Sequence, residues 1–156
     1  MPDPQSAPIA ESQALMIPRV LWGSLIMSQV AYLAVAHVSV RAGGPGPSFV
    51  QILVGAAIMS ALAAYFLPRV IAHAAVKQRL TEGRTLAELS LTDLLPLLFA
   101  PLLVRWALIE SISVFGLVAA FMSNDLQAQY PFAAAGILGM LLNFPSESKV
   151  RDLAGG

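Results

Sequence analysis

Four stretches of this chain are almost continuously apolar, and the polar residues gather between them. The first covers residues 20–40 without a fixed charge, the second 49–68, the third 97–121 and the fourth 129–144. About 20 predominantly apolar residues carry a helix across the hydrocarbon core of a bilayer. The pattern predicts an all-α polytopic membrane protein, a bundle of four transmembrane helices. The fourth stretch is the shortest and needs a thin membrane or help from its flanks.

The segments between the runs set the predicted boundaries. Residues 1–17 contain Pro2, Asp3, Pro4, Pro8 and Glu11 and read as a flexible, weakly acidic tail. Arg19 and Trp22 stand at the start of the first run, where interfacial anchors belong. Arg41-Ala-Gly-Gly-Pro-Gly-Pro-Ser48 cannot continue a helix and predicts a tight loop. Pro68 and Arg69 close the second run, and residues 70–80, with His73, Lys77 and Arg79, read as a helix leaving the membrane. Residues 81–95 are polar, and Ser90-Leu-Thr92-Asp93 has the side chains that cap a new helix. Pro96 and Pro101 predict a kink or a later start in the third span. Residues 122–129 form a polar turn, and residues 146–156 a charged tail.

Composition supports the membrane reading. The chain is 57% hydrophobic and 12% charged, whereas soluble domains average about 25% charged. That is too little charge to coat a globule. A formal net charge of zero argues against nucleic acid as a partner. With no cysteine there is no disulfide framework, thiolate metal site or cysteine nucleophile.

The basic residues are unevenly shared. Four spans place Arg19, Arg69, Lys77, Arg79, Arg84, Lys149 and Arg151 on one side and Arg41 alone on the other. Cytoplasmic loops collect Lys and Arg, so both termini and the central loop are expected in the cytoplasm, with the chain in a bacterial-type inner membrane. Ala34-Val35-Ala36 matches a small-x-small cleavage site. The long apolar run and acidic leader argue against a cleaved signal.

Two charges fall inside the third span. Counted from residue 97 at about 1.5 Å per residue, Arg105 lies roughly 12 Å deep and Glu110 roughly 20 Å. Arg105 can snorkel to the headgroups along its stem. Glu110 is too short for that and must be protonated, paired or facing a wet cavity. The two are about 140° apart around a helix, so a direct bridge is awkward. Ser28, Gln29, Gln51, Ser60 and Asn143 are the candidate polar partners on other helices. Glu110 is either a structural hydrogen-bonding post or a protonatable ion site, with Arg105 as its candidate charge partner and Ser111, Gln29 and Gln51 as further ion-binding candidates.

The run Ala107-Leu-Ile-Glu110-Ser111-Ile-Ser113-Val-Phe115-Gly116-Leu-Val118 resembles the second helix of the ATP synthase c subunit, the rotor-ring proteolipid. Closely, the resemblance covers about a dozen residues, and more loosely the hairpin 49–121. It implies that Glu110 is an ion-carrying carboxylate and that Ser111 matches the serine beside it in sodium-binding members. The chain departs from that family in having only Gly55 in its second span, Arg105 five residues before the carboxylate, and two flanking helices. These departures describe a c-like membrane protein rather than a rotor subunit. As a whole the chain is similar in build to small bacterial membrane proteins.

His37 and His73 fall near opposite membrane faces and cannot share a metal within one chain. Ala133, Ala134, Ala135, Gly136 and Gly139 allow close helix approach. There is no phosphate loop, no HExxH and no Ser/His/Asp set. The expectation is therefore a structural or accessory subunit that binds other membrane subunits or itself within the lipid bilayer, without cofactor or metal. The alternative is a proton- or sodium-handling protein using Glu110. A membrane enzyme ranks last.

Overall fold

The computed structural model describes residues 13–40, 48–80 and 90–155. Residues 1–12, the predicted loop 41–47 and the connection 81–89 with Arg84 lie outside the described residues, as does the side chain of Arg79. Every element found is helical. These are α1 (Met16–Ser39), α2 (Ser48–Leu80), α3 (Leu91–Ser123), a 3-10 turn (Leu126–Ala128), α4 (Tyr130–Leu142) and α5 (Glu147–Gly155). No strand occurs among the described residues.

Three of these helices are long and apolar enough to cross a membrane: Met16–Ser39, Phe49–Gln78 and Leu91–Ser123. The chain is a membrane-embedded helical protein. With α4 it forms the expected four-helix bundle, although α4 has only 13 residues and spans about 20 Å at 1.5 Å per residue.

Several boundaries differ from the sequence expectation. The helix predicted from residue 20 begins at Met16, so part of the expected tail is helical. Helix α2 runs through Pro68 into residues 70–80, which the sequence also reads as helical, and Pro96 and Pro101 lie inside α3. Proline removes one helical N–H, yet each helix continues on both sides of it. Ser90 caps α3: its hydroxyl accepts from the Asp93 N–H at 3.2 Å while the Asp93 carboxylate accepts from the Ser90 N–H at 3.3 Å, a reciprocal capping box. The expected C-terminal tail is largely α5. Its Val150, Leu153 and Ala154 are buried, and an Arg151–Glu147 pair at 2.9 Å lies on its outer face.

Helix α3 is the axis of the bundle. A larger share of its apolar length is buried than of α1 or α2. Helices α1, α2 and α4 all pack on α3, α1 also touches α4, and α5 rests on α2 and α3. The most deeply packed region is the first half of α3. There Leu91, Leu94, Leu98 and Leu102 pack with Leu15, Ala72, Val76, Val150 and Leu153 in one cluster. A second, smaller cluster joins Leu53, Ala57, Ile112, Ala119 and Phe132 nearer the other end.

Candidate functional site

Helix α1 packs Leu21, Trp22, Leu25 and Ile26 against the larger core cluster, and a ladder of polar contacts fastens it further. At one end the Trp22 indole N–H donates to the Met140 carbonyl at 2.9 Å. Further along, Ser28 and Tyr32 both donate to Oε1 of Glu110, at 2.5 Å and 2.9 Å. Between them Gln29 is fully buried, and its Oε1 accepts from the Ser113 hydroxyl at 3.1 Å. These positions share one face of α1 because residues three and four apart on a helix are neighbours.

Gly136 makes the Gln29–Ser113 contact possible. A Cβ there would run into the Ser113 hydroxyl and lie 3.0 Å from Gln29 Oε1. Helix α4 therefore closes the site from a third direction. The Gln29 Nε2 group is buried with no partner among the described residues, which leaves both of its N–H donors unmatched in a low-dielectric interior.

A second polar layer lies about one helical turn from Glu110. Asn143, just past the end of α4, is its hub. Its Nδ2 donates to the Gly139 carbonyl at 2.8 Å, and its own carbonyl accepts from the Trp106 indole at 3.1 Å. The last carbonyls of a helix lack intrahelical partners, and Trp22 and Asn143 donate to two carbonyls of the last turn of α4, those of Met140 and Gly139. Arg105 reaches Asn143 Oδ1 at 3.5 Å. Trp22 meets the Phe144 ring edge-on at 5.0 Å, and Arg19 stands 5.7 Å from the same ring. Arg69 lies over Tyr65 at 3.7 Å and shares a cavity with Arg105 and Lys149. Counted from Trp106 in this aromatic and cationic layer, rather than from residue 97, Glu110 is about 6 Å further in.

The sequence candidates separate accordingly. Glu110 meets Ser28 and also Tyr32, which the sequence reading did not single out. Spacing could have found Tyr32, since it sits four residues after Ser28. Gln29 pairs with Ser113 instead of Glu110. Ser111 turns its hydroxyl back to the Leu108 carbonyl at 2.7 Å. Gln51 is exposed on α2 and shares no described contact with Glu110. Arg105 forms no ion pair with Glu110, because its guanidinium is directed to Asn143. Among the described residues no group of three metal-ligating side chains forms.

Both hydroxyls take the same oxygen of Glu110, and Oε2 has no hydrogen bond among the described residues. Glu110 is only half-buried. It belongs to a stripe with Leu103, Ala107, Val114, Leu117 and Phe121, alternating by three and four residues and left at least partly exposed. Helices α1 and α2 flank α3 with next to no contact between them. The chain matches no family model, and no curated protein or solved structure matches it.

Proposed function

We propose that this protein is a structural subunit of a membrane complex, and that the exposed stripe of α3 receives a transmembrane helix of another membrane protein over Glu110. The observation that carries this reading is the half-buried carboxylate in the middle of an apolar stripe. A charged side chain facing lipid costs about 2.5–3.5 kcal/mol on insertion scales, and two hydroxyls on one oxygen leave the other unmatched. A neighbouring helix with small residues and a hydroxyl or amide donor removes that cost. The spacing of the stripe is the one that two packed helices use. On this reading the chain resides in an inner membrane with both termini cytoplasmic, following its basic residues.

Photo-crosslinking tests the proposal. A photoreactive residue placed at Ala107 or Val114 is expected to capture one defined membrane protein in intact membranes. The same residue at Ile52, exposed on α2, is expected not to. Glu110→Leu should abolish the adduct, while the shape-preserving Glu110→Gln should retain much of it. Equal capture at all three positions, or none at any, would overturn the reading.

The convergence of Ser28, Tyr32 and Glu110 oxygens supports a second reading, a proton- or sodium-handling site of the c-subunit kind. It requires that a carboxylate-reactive carbodiimide label Glu110 selectively and that sodium or pH modulate the labelling. Labelling unaffected by either would count against it.

A further inference from the structure

A groove runs between α2 and α4 along the side of α3, and we infer that it binds an anionic phospholipid, with the phosphate at its basic mouth and one acyl chain along its apolar length. The mouth is a partly enclosed cavity of about 500 Å³ to which three elements each bring a cation: Arg69 from α2, Arg105 from α3 and Lys149 from α5. Among the described residues no carboxylate lines it. The ion pair described above, Arg151 with Glu147, involves none of its residues. Like charges gathered in a partly apolar chamber repel one another, and among the described residues they meet neutral groups alone: the Asn143 amide oxygen, the Tyr65 ring, and the Tyr65 carbonyl, which accepts from Arg69 at 3.2 Å. A phosphate supplies the missing charge, and a guanidinium matches two of its oxygens at once.

The groove does not end at the cations. An apolar cavity of about 250 Å³ continues from it, and the two share Ala61, Ile112 and Ala135. Along α4 it reaches from the Asn143 end to Pro131, about 17 Å at 1.5 Å per residue. Small side chains keep it open. Ala61 and Ala135 form the walls, while the floor is Ile109 and Ile112 on α3. Cations at one end and an uninterrupted apolar track beyond them fit an amphiphile. A free phosphate would use only the mouth. The mouth also lies in the layer of Trp22, Trp106 and Arg19, where lipid headgroups meet a membrane protein. Basic pockets between helices on the cytoplasmic side are suited to phosphate-bearing headgroups.

The test uses the full chain, stripped of lipid in a neutral detergent, with native mass spectrometry and thermal unfolding as readouts. Phosphatidylglycerol, phosphatidylcholine and inorganic phosphate are the probes. One phosphatidylglycerol is expected to be retained per chain, at least tenfold better than phosphatidylcholine, and to raise the unfolding midpoint. Arg105→Gln and Lys149→Gln are each expected to weaken retention several-fold. Ala61→Phe keeps every cation but fills the track from an exposed position, and it should weaken retention as much. If Arg105→Gln does not fold, the two exposed-site variants decide. Equal retention of the two lipids would overturn the proposal. So would stabilisation by inorganic phosphate that survives Ala61→Phe, since that identifies a free anion site.

Discussion

Gly136 and Ser113 show how much of this molecule turns on single atoms. The absent Cβ of Gly136 lets the Ser113 hydroxyl reach Gln29 Oε1, and the same approach seats α4 against α3 and α1. Gly136→Ala forces that group apart, and overpacking of this kind costs about 1–3 kcal/mol. Removing the hydroxyl with Ser113→Ala makes room but leaves Gln29 with less hydrogen bonding. The two changes are therefore coupled. Combining them is expected to cost less than the sum of the single variants by about 1 kcal/mol, as a double-mutant cycle of unfolding in detergent would reveal. Strict additivity would mean that the α4 contact is looser than described.

At the scale of elements, the ends of α3 are under different control. Its start is held by the Ser90–Asp93 box. At its far end Asn124 adopts a left-handed conformation, φ 51°, and is the one non-glycine residue with positive φ among those described. Asparagine tolerates that geometry, and a β-branched residue does not. Asn124→Gly should leave the thermal midpoint unchanged or slightly raised, whereas Asn124→Val should cost about 1–2 kcal/mol. Both variants are readable by thermal unfolding. Helix α4 is short for its task, at 13 residues, and its last turn is bonded by the Trp22 side chain of α1 and by Asn143 instead of further helix. A bilayer of shorter acyl chains matches it better. Unfolding in vesicles is expected to become harder as chain length falls from about 18 to about 14 carbons, and a monotonic trend the other way would refute this.

For the whole molecule, the return of the chain is the decisive feature. Asn143 meets Trp106, and Lys149 lines one cavity with Arg69 and Arg105. The segment after α4 therefore lies at the same end of the bundle as the start of α1, where Trp22 meets Met140. The chain contains no cysteine, so single-cysteine variants give no background labelling. Gln13→Cys and Ser148→Cys, both exposed, should react with a membrane-impermeant thiol reagent from the same side of oriented vesicles. Reaction from opposite sides would break the even-span topology.

What the sequence determined by itself is the solvent. Long apolar runs with few or no charges are driven into lipid, so the helical class and the approximate spans follow from composition and period. The capping residues of α3 were legible too, because Ser90 and Asp93 act on their own backbone. Hydropathy could not distinguish a helix face against lipid from one against protein, since both favour the same side chains. The tertiary structure alone decided that Leu91, Leu94 and Leu98 are core while Ile52 and Met59 are exposed. It also decided that Glu110 would meet Ser28 and Tyr32, and that Arg105 would turn away to Asn143. Those contacts join residues far apart in the chain, and their geometry depends on how whole helices pack.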